Sequence, residues 1–479
     1  MSIRPCLILV LVLAGFRVVS VGQDQPPQNP PVQTPSDNEN RQAPAAAVSA
    51  IAGMQTEGNT EDTSSDLPRI PAQLGGAGIS SAFISEMERS NYLRGGVNVG
   101  AVYDDNPLLL SIGGESNTSE TVFPNIKIEE STSRIRWSLG YAGGLTVNQK
   151  ITSQNQGSQN LTFDSQYRLS PHVNLRVAEN FSMTTGFFDA GNGTEIIGSG
   201  GPNASLVAPL STQRSSMTTA ETNYHFALND LVGASGSFYD LHFTNVPVGN
   251  QLTDSQTTLA SAFWLHRLFQ GDWGGTSYGF QRITFGPSSE TRVNSFLAVD
   301  TLNLSNRFTL TGSVGPQYLE NQGLAPGGTP ISQSNNWAVA GGVEGGWRNR
   351  RTSVSAGFSR NITNGGGLLG AVRLQTVHGT FRRELVPGWA AAFTASYGTN
   401  QSLIVPLATS ASSINLTSAG VALERNVGKS VGFRMGYTHD FQAEFGVPGS
   451  IPGSTQTLGA SRNRFSVTLS YQWAKPLGM

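Results

Sequence analysis

Apolar and polar residues alternate along most of the chain from about residue 94 onward, and this pattern predicts β-strands. The clearest run ends at Trp473, where Phe465, Val467, Leu469 and Tyr471 alternate with polar residues. Successive side chains of a strand point to opposite faces, so such a run has one apolar and one polar face. The same period recurs at 134–141, 161–169, 307–314, 389–397 and 431–438. Near Thr376 the alternation changes phase, which indicates a β-bulge.

Short and long connections between these runs alternate along the chain. Short turns are indicated at 131–133, 169–172, 229–230, 270–272, 305–306, 349–350, 386–388 and 427–428. Longer stretches rich in Gly, Asn, Ser and Pro lie between them, at 105–120, 191–210, 320–331, 400–412 and 442–459. Eight hairpins, with a first strand near 95–103 and a last near 464–473, predict about 18 strands, within a range of 16 to 20.

Two architectures could close so large an antiparallel sheet: a soluble sandwich or propeller, or a transmembrane barrel. Strands of about ten residues match a tilted membrane span. Short turns at one edge and long loops at the other are typical of outer-membrane barrels. No repeat of blade length is visible, and no apolar run after the N-terminus is long enough for a spanning helix. The pattern therefore favours an all-β, antiparallel transmembrane β-barrel.

Aromatic residues near strand ends agree with the girdles that such barrels place at the two membrane interfaces. They are Tyr103, Tyr141, Tyr167, Tyr239, Trp264, Trp273, Trp337, Trp347, Trp389, Tyr397, Tyr437, Tyr471 and Trp473.

The N-terminal region has a different composition and predicts three segments before the barrel at 94–479. Residues 1–22 carry Arg4, an apolar run and small residues, as in a secretory signal peptide; an N-terminal anchor is the alternative. Residues 23–66 are rich in Pro, Gln and Asn and predict a disordered linker. Residues 67–93 predict a short, partly helical segment. Cys6 is the only cysteine, so neither a disulfide nor a cysteine metal site is expected.

Composition excludes several functions. The formal net charge is −2 and only 13% of residues are charged, which argues against a nucleic-acid partner. The six histidines form no metal-binding motif, and no nucleophile elbow precedes a helix. His225 and His242 could meet across a hairpin, but we expect no enzyme, no cofactor and no metal. The Asp104, Asp105 and Asn106 side chains could bind Ca²⁺, although a turn-initiating run before Pro107 is the favoured interpretation.

Several short sequences resemble the β-barrel porin family of Gram-negative outer membranes. They are the first strand, 100–106 (GAVYDDN), and the segments 167–172 (YRLSPH) and 223–230 (NYHFALND). The last strand resembles the recognition strand of the barrel assembly machinery in its alternating Phe465, Val467, Leu469, Tyr471 and Trp473, although six residues follow the final aromatic. The resemblance implies an outer-membrane pore, and some members of the family are linked with polysaccharide export.

The polar face of the strands predicts the lining of the barrel. Candidate pore-lining residues are Arg134, Arg136, Asp164, Arg168, Arg292, Arg307, Arg434 and Arg464, with Glu221, Asp300, Glu344 and Glu424 also expected to point inward. These arginines could create a transverse field or a mild anion preference. Alternatively, they pair with carboxylates to rigidify the wall or lie at the periplasmic rim.

A barrel of this size encloses an aqueous channel, so we expect an outer-membrane porin for small hydrophilic solutes. A polymer secretion pore and a surface scaffold or adhesion barrel acting through its long loops are the alternatives. A TonB-dependent transporter is disfavoured because the polar N-terminal region does not resemble a plug domain. Expected partners are outer-membrane lipid and lipopolysaccharide, the barrel assembly machinery and small solutes, and a homo-oligomer remains open.

Overall fold

The structure is a computed structural model. It describes residues 91–107, 114–152, 155–185, 212–244, 253–269, 272–286, 289–305, 307–323, 334–365, 371–403, 413–428, 430–448 and 455–477. The predicted signal peptide, the linker and most of the segment 67–93 lie outside these residues. Within the described part of the chain, no helix is long and apolar enough to cross a membrane.

Eighteen strands make up the described chain. They are β1 (Tyr92–Asp104), β2 (Asn117–Ser131), β3 (Ile135–Asn148), β4 (Gln156–Arg168), β5 (Val173–Thr185), β6 (Thr212–Ala227), β7 (Asp230–Thr244), β8 (Ser255–Phe269), β9 (Asp272–Phe285), β10 (Ser289–Ser305), β11 (Phe308–Gly323), β12 (Ser334–Arg348), β13 (Thr352–Thr363), β14 (Val372–Val386), β15 (Trp389–Ser402), β16 (Ser413–Val427), β17 (Val431–Pro448) and β18 (Thr455–Pro476).

Each strand pairs antiparallel with the next one in the chain, and the last pairs with the first. The closing register runs from Tyr92 opposite Pro476 to Asp104 opposite Arg464. The sheet therefore closes into a barrel in which every strand has two neighbours, which confirms the predicted fold class and the strand number. Ala474 to Pro476 belong to this closure, so the first three of the six residues after Trp473 are paired strand.

The eight predicted hairpin turns all lie at one edge of the barrel, together with the beginning of β1 and the end of β18. Two of them contain a glycine in the left-handed region, Gly388 with φ of 82° and Gly428 with φ of 66°. The opposite edge carries the longer connections, with one exception. Residues 286–288 join β9 to β10 in a short link, so the alternation of short and long connections is not complete.

The outer face of the barrel carries large exposed apolar side chains. Val314, Trp337 and Leu469 are 59%, 73% and 53% exposed, and each alternates with inward-facing neighbours. A lipid-facing surface of this kind is expected of a transmembrane barrel.

The inner face differs from the sequence-based expectation over β7 to β11, because much of it is apolar. Leu265, Ile283, Val293 and Leu319 are almost completely buried and lie on the face opposite the exposed Trp264 and Phe296. Two residues predicted for the aromatic girdles, Tyr239 and Trp273, are likewise buried on this inner face. These strands are thus apolar on both faces, and their inner surface serves as a packing surface.

The bulge predicted near Thr376 is wrong. The pairing of β14 with both neighbours passes through Thr376 without a shift, and the irregularity lies at Glu384 and Val386. The change in the apolar pattern has another cause: Val377 faces outward and is exposed, whereas Val372 and Leu374 face inward and are buried. The environment of the strand changes along its length, and its register does not.

The opposite orientations of Val343 and Glu344 on β12 give a matched test of the two faces. Val343 is 40% exposed on the outer face, and Glu344 lies on the inner face. We expect Val343→Arg to lower the free energy of unfolding in lipid by about 2–4 kcal/mol. Glu344→Arg should change it by about 1 kcal/mol or less, because the side chain stays outside the lipid. Urea-dependent unfolding in phospholipid vesicles measures both; equal effects would contradict the assigned faces.

Candidate functional site in the barrel lumen

The tip of the β13–β14 hairpin leaves the barrel wall. Pairing between β12 and β13 stops at Gly341 and Arg360, whereas β12 continues to pair with β11 as far as Ser334. β13 continues to pair with β14 up to Thr363 opposite Val372. Strands β12 and β13 therefore separate above Gly341, while the tip stays attached to the wall through the pairing of β14 with β15, which runs up to Val372 opposite Ser402.

The separated tip packs against the inner wall on the far side of β12. Ile362 and Ala371 share a buried cluster with Ile283, Val293 and Leu319 of β9 to β11, and Phe285 completes it. These wall residues face the barrel interior, so the tip lies inside the barrel. We call residues 361–365 with 371–374 the infolded tip.

Two hydrogen bonds fix the infolded tip to the wall. The Nδ2 atom of Asn364 donates to Oγ of Ser255 over 2.8 Å, and Nε2 of Gln281 donates to the carbonyl oxygen of Ile362 over 3.4 Å. Both bonds are buried and join residues far apart in the chain. Burial makes the loss of either partner costly, because the other group would be left unsatisfied.

Gly341 permits the separation. Its φ is 153°, and a Cβ atom there would lie 2.3 Å from the carbonyl oxygen of Ser313 on β11. A larger residue would clash with the backbone of the neighbouring strand, so the close approach of β12 to β11 requires glycine here.

The rest of the lumen wall, on β14 to β18 and β1 to β6, is polar and charged. Near the short-turn edge, Glu129 forms ion pairs with Arg94, whose Nε atom lies 3.0 Å away, and with Lys127, whose Nζ atom lies 2.7 Å away. Farther along the wall, Arg176 contacts Asp164 over 2.5 Å. All of these side chains face inward, because they alternate with the lipid-facing residues of their strands.

Two further charged groups continue this arc. On β14, β16 and β17, Glu424 lies 3.2 Å from Arg382 and 3.7 Å from Arg434. Toward the long-loop edge, Asp440 accepts from Arg462 over 2.7 Å and from Arg464 over 3.2 Å. The lumen is therefore two-sided, with an ion-paired arc facing an apolar inner wall that the infolded tip covers at one end.

Seven of the eight predicted pore-lining residues fall into three groups. Asp164, Arg434 and Arg464 face inward and form ion pairs. Arg136 also faces inward, but it is exposed at the short-turn end of β3. The last group is exposed at or beside short turns and consists of Arg134, Arg168 and Arg307.

Arg292 and Asp300 are corrections to the predicted lining. The register of β10 puts both on the outer face with Phe296, and Arg292 bonds Glu290 there. The sequence pattern was misleading because the inner face of β10 is itself apolar, so polarity does not identify the lumen side of this strand. The other predicted acids, Glu221, Glu344 and Glu424, face inward.

The proposed assembly residues lie together on the outer face of β18. Phe465, Leu469, Tyr471 and Trp473 are each 40% exposed or more, and Val467 lies between them on the same face. They form one apolar row on the strand that closes the barrel.

Two candidate sites from the sequence take other forms in the structure. Asp105 accepts two hydrogen bonds from Asn463, and Asp104 accepts one from the backbone of Asn106, as in a turn. His225 and His242 do not meet: His225 pairs with Leu231 near the short turn, and His242 lies at the other end of the hairpin. Among the described residues, no group of three acidic, His or Cys residues is arranged to hold a metal ion.

The sequence matches no family model and no curated protein. Solved structures with a similar arrangement include the ferric citrate transporter FecA, with a TM-score of 0.41 and 8% identity over 84% of this chain and 82% of that chain. OccK2 of Pseudomonas aeruginosa has a TM-score of 0.41 and 8% identity, covering 81% of this chain and 98% of its own. OpdQ of the same species has a TM-score of 0.40 and 11% identity, covering 82% and 100%.

These scores are low, and the assignment rests on the barrel itself. An even number of antiparallel strands, a closed hydrogen-bond network and an apolar exterior together define the bacterial outer-membrane type. The chain is an outer-membrane β-barrel. Its location in a Gram-negative outer membrane follows from that architecture.

Sequence reasoning missed the infolded tip and the ion pair between Arg462 and Asp440 in this outer-membrane barrel. The phase change near Thr376 was the available signal for the tip, since Val372 and Leu374 are apolar where the inward face should be polar. For Arg462 no local signal exists, because its partner is on another strand and only the register brings the two together.

Truncation of Ile362 tests the attachment of the infolded tip. Removing a fully buried isoleucine side chain costs about 2 kcal/mol or more, so backbone amides of 361–365 should exchange with solvent about tenfold faster or more in Ile362→Ala. Hydrogen exchange followed by mass spectrometry measures this. Val354→Ala, on the lipid-facing part of the same strand, is the matched control and should leave these amides unchanged; equal acceleration would argue against docking of the tip.

Proposed function

We propose that this outer-membrane barrel is a channel for the passive passage of small hydrophilic solutes. Eighteen strands enclose more space than side chains alone fill, whereas barrels of eight strands do not. One arc of the lumen offers charged and polar side chains that can exchange hydrogen bonds with water and solute. This combination supports transport by diffusion.

The infolded tip is the observation that carries the restriction to small solutes. It occupies lumen space against β8 to β11 at the long-loop end and is fixed there by buried contacts from Ile362 and Asn364. An element held in this way narrows the path. A narrowed path favours small molecules over the polymer that a secretion pore would carry.

The distribution of charge in the lumen determines whether the channel favours anions or cations. Among the strand residues that the structure describes, inward-facing arginines and lysine outnumber inward-facing carboxylates, and Arg134 and Arg136 lie exposed at the short-turn mouth. Fixed positive charge at a mouth raises the local concentration of anions. We therefore propose a mild preference for anionic solutes.

Planar-bilayer recordings test the channel and its selectivity together. The refolded chain should give stepwise conductance with an anion-shifted reversal potential in a salt gradient. Arg134→Ala/Arg136→Ala should reduce that shift, because it removes two charges from the mouth. Arg292→Ala, which removes a charge from the outer face, is the control and should leave it unchanged. A closed trace from correctly folded protein would reject the channel and favour a scaffold.

We also propose that the outer row of β18 is the signal for barrel assembly. Support comes from its place on the closing strand and from the alternating aromatic and aliphatic side chains that end at Trp473.

Two tryptophans of equal exposure separate assembly from membrane anchoring. Trp473 on β18 is 40% exposed and Trp347 on β12 is 39% exposed, both close to the short-turn edge. Tyr471→Ala/Trp473→Ala should lower the heat-modifiable, folded fraction in outer membranes several-fold. Trp347→Ala should lower it little. Semi-denaturing gel electrophoresis of membrane fractions measures the difference, and equal losses would mean that the β18 row only anchors the barrel.

A further inference from the structure

Five exposed arginines crowd one sector of the short-turn edge. Arg348, Arg350 and Arg351 belong to the turn between β12 and β13, and Arg307 and Arg383 lie on either side of it. The backbone N–H of Arg348 donates to the carbonyl oxygen of Arg307 over 2.7 Å. Arg383 pairs with Thr352 at the start of β13. These five residues lie at the same edge of the barrel, between the start of β11 and the end of β14, and we call them the basic rim.

The basic rim carries uncompensated positive charge. Among the described residues, none of its five arginines forms an ion pair within 4.0 Å. The closest acids along the chain, Glu344 and Glu384, are on the inner faces of their strands. Clustered like charges repel one another and raise the local concentration of anions, so this surface is suited to an acidic partner.

The chain itself contains a matching acidic segment. Residues 57–66 (EGNTEDTSSD) hold four carboxylates and no basic residue. Across residues 23–90 as a whole, nine acidic residues face only three basic ones. The charge of this segment is therefore opposite to that of the basic rim.

The chain connectivity places the acidic segment and the basic rim at the same edge of the barrel. β1 begins at Tyr92 on the short-turn edge, where the carbonyl oxygen of Asn91 accepts from Leu477 and its side chain accepts from Ser131. From there to the turn between β12 and β13 the distance across the mouth is about 30 Å, from strand spacing and tilt. The 25 residues from 67 to 91 can reach at most about 80–90 Å when fully extended, so this distance is within their reach. The acidic segment can therefore reach the basic rim.

We propose that residues 57–66 dock on the basic rim of the same chain. Tethering at this length gives the acidic segment an effective concentration in the millimolar range at the basic rim. The docked segment would lie beside the mouth of the lumen and neutralise part of its positive charge. Anionic lipid headgroups are the competing occupant, and the experiment distinguishes them.

Spin labels measure the docking directly, without reference to transport. In the full chain with Cys6→Ser, one label is placed at Asn59→Cys and the other at Asn349→Cys in the rim turn; Ser133→Cys, in the turn between β2 and β3, is the control site. Pulsed dipolar spectroscopy at low salt should give a mean Asn59–Asn349 distance about 10 Å shorter than the mean distance in the charge-neutralised variants described below. The shortening should vanish in 1 M salt, where the screening length falls to about 3 Å.

Charge-neutralising variants decide between the occupants. Glu57→Gln/Glu61→Gln/Asp62→Asn/Asp66→Asn and Arg350→Gln/Arg351→Gln should each restore the long distance. The matched variant Asp24→Asn/Asp37→Asn/Glu39→Gln/Glu86→Gln removes the same number of carboxylates elsewhere in the segment and should retain the short one.

Three results would overturn the proposal. One is an Asn59–Asn349 distance that does not respond to the acidic variants. Another is a short distance to Ser133 as well as to Asn349. The third is a rim that, regardless of the acidic residues, binds vesicles containing phosphatidylglycerol but not those of phosphatidylcholine alone; this would assign the rim to lipid. Heat-modifiable gel migration of every variant verifies that the barrel has folded.

Discussion

Backbone hydrogen bonding in a medium without water is the constraint on which this structure depends. In hydrocarbon every N–H and carbonyl group of a strand must find a partner within the protein, and only closure of the sheet provides one for the first and last strands. Pairing of β1 with β18 along their common length supplies it. Closure also fixes the alternation of faces around the whole barrel, so lipid-facing and lumen-facing residues are set by register alone.

Inside the closed wall lies a buried apolar cluster, formed by the inner face of β9 to β11 and the infolded tip. Isoleucine, leucine and valine side chains on the inner face of β9 to β11 would be poor neighbours for water. The infolded tip covers part of them, and Ile362 makes the central contact. The opposite arc stays charged because arginines and carboxylates on nearby strands form ion pairs, as Glu424 does with Arg382 two strands away and with Arg434 on the adjacent strand. The barrel interior thus combines packing on one side with solvated ion pairs on the other.

Most of the fold could be predicted from the sequence, because alternation and turn chemistry are local signals. All eight short turns and the number of strands follow from them. The infolded tip could not, because its apolar residues Ile362 and Ala371 pack against a part of the wall that is distant in the chain. Arg292 was assigned to the wrong face for a related reason: β10 is apolar on both sides, so polarity carries no orientation. Ion pairs such as Arg462 with Asp440 depend on register, which spacing alone does not give.

The branch at Gly341 assigns contact with lipid and narrowing of the lumen to different strand segments. Above it, β11 and β12 continue as the wall that meets lipid, while the ends of β13 and β14 form an inner partition that stays joined to the wall through β15. The bore can therefore be reshaped through the partition while the shell keeps its hydrocarbon contacts. An engineer seeking a sensing nanopore of adjustable width would begin at this fork rather than at the strand count.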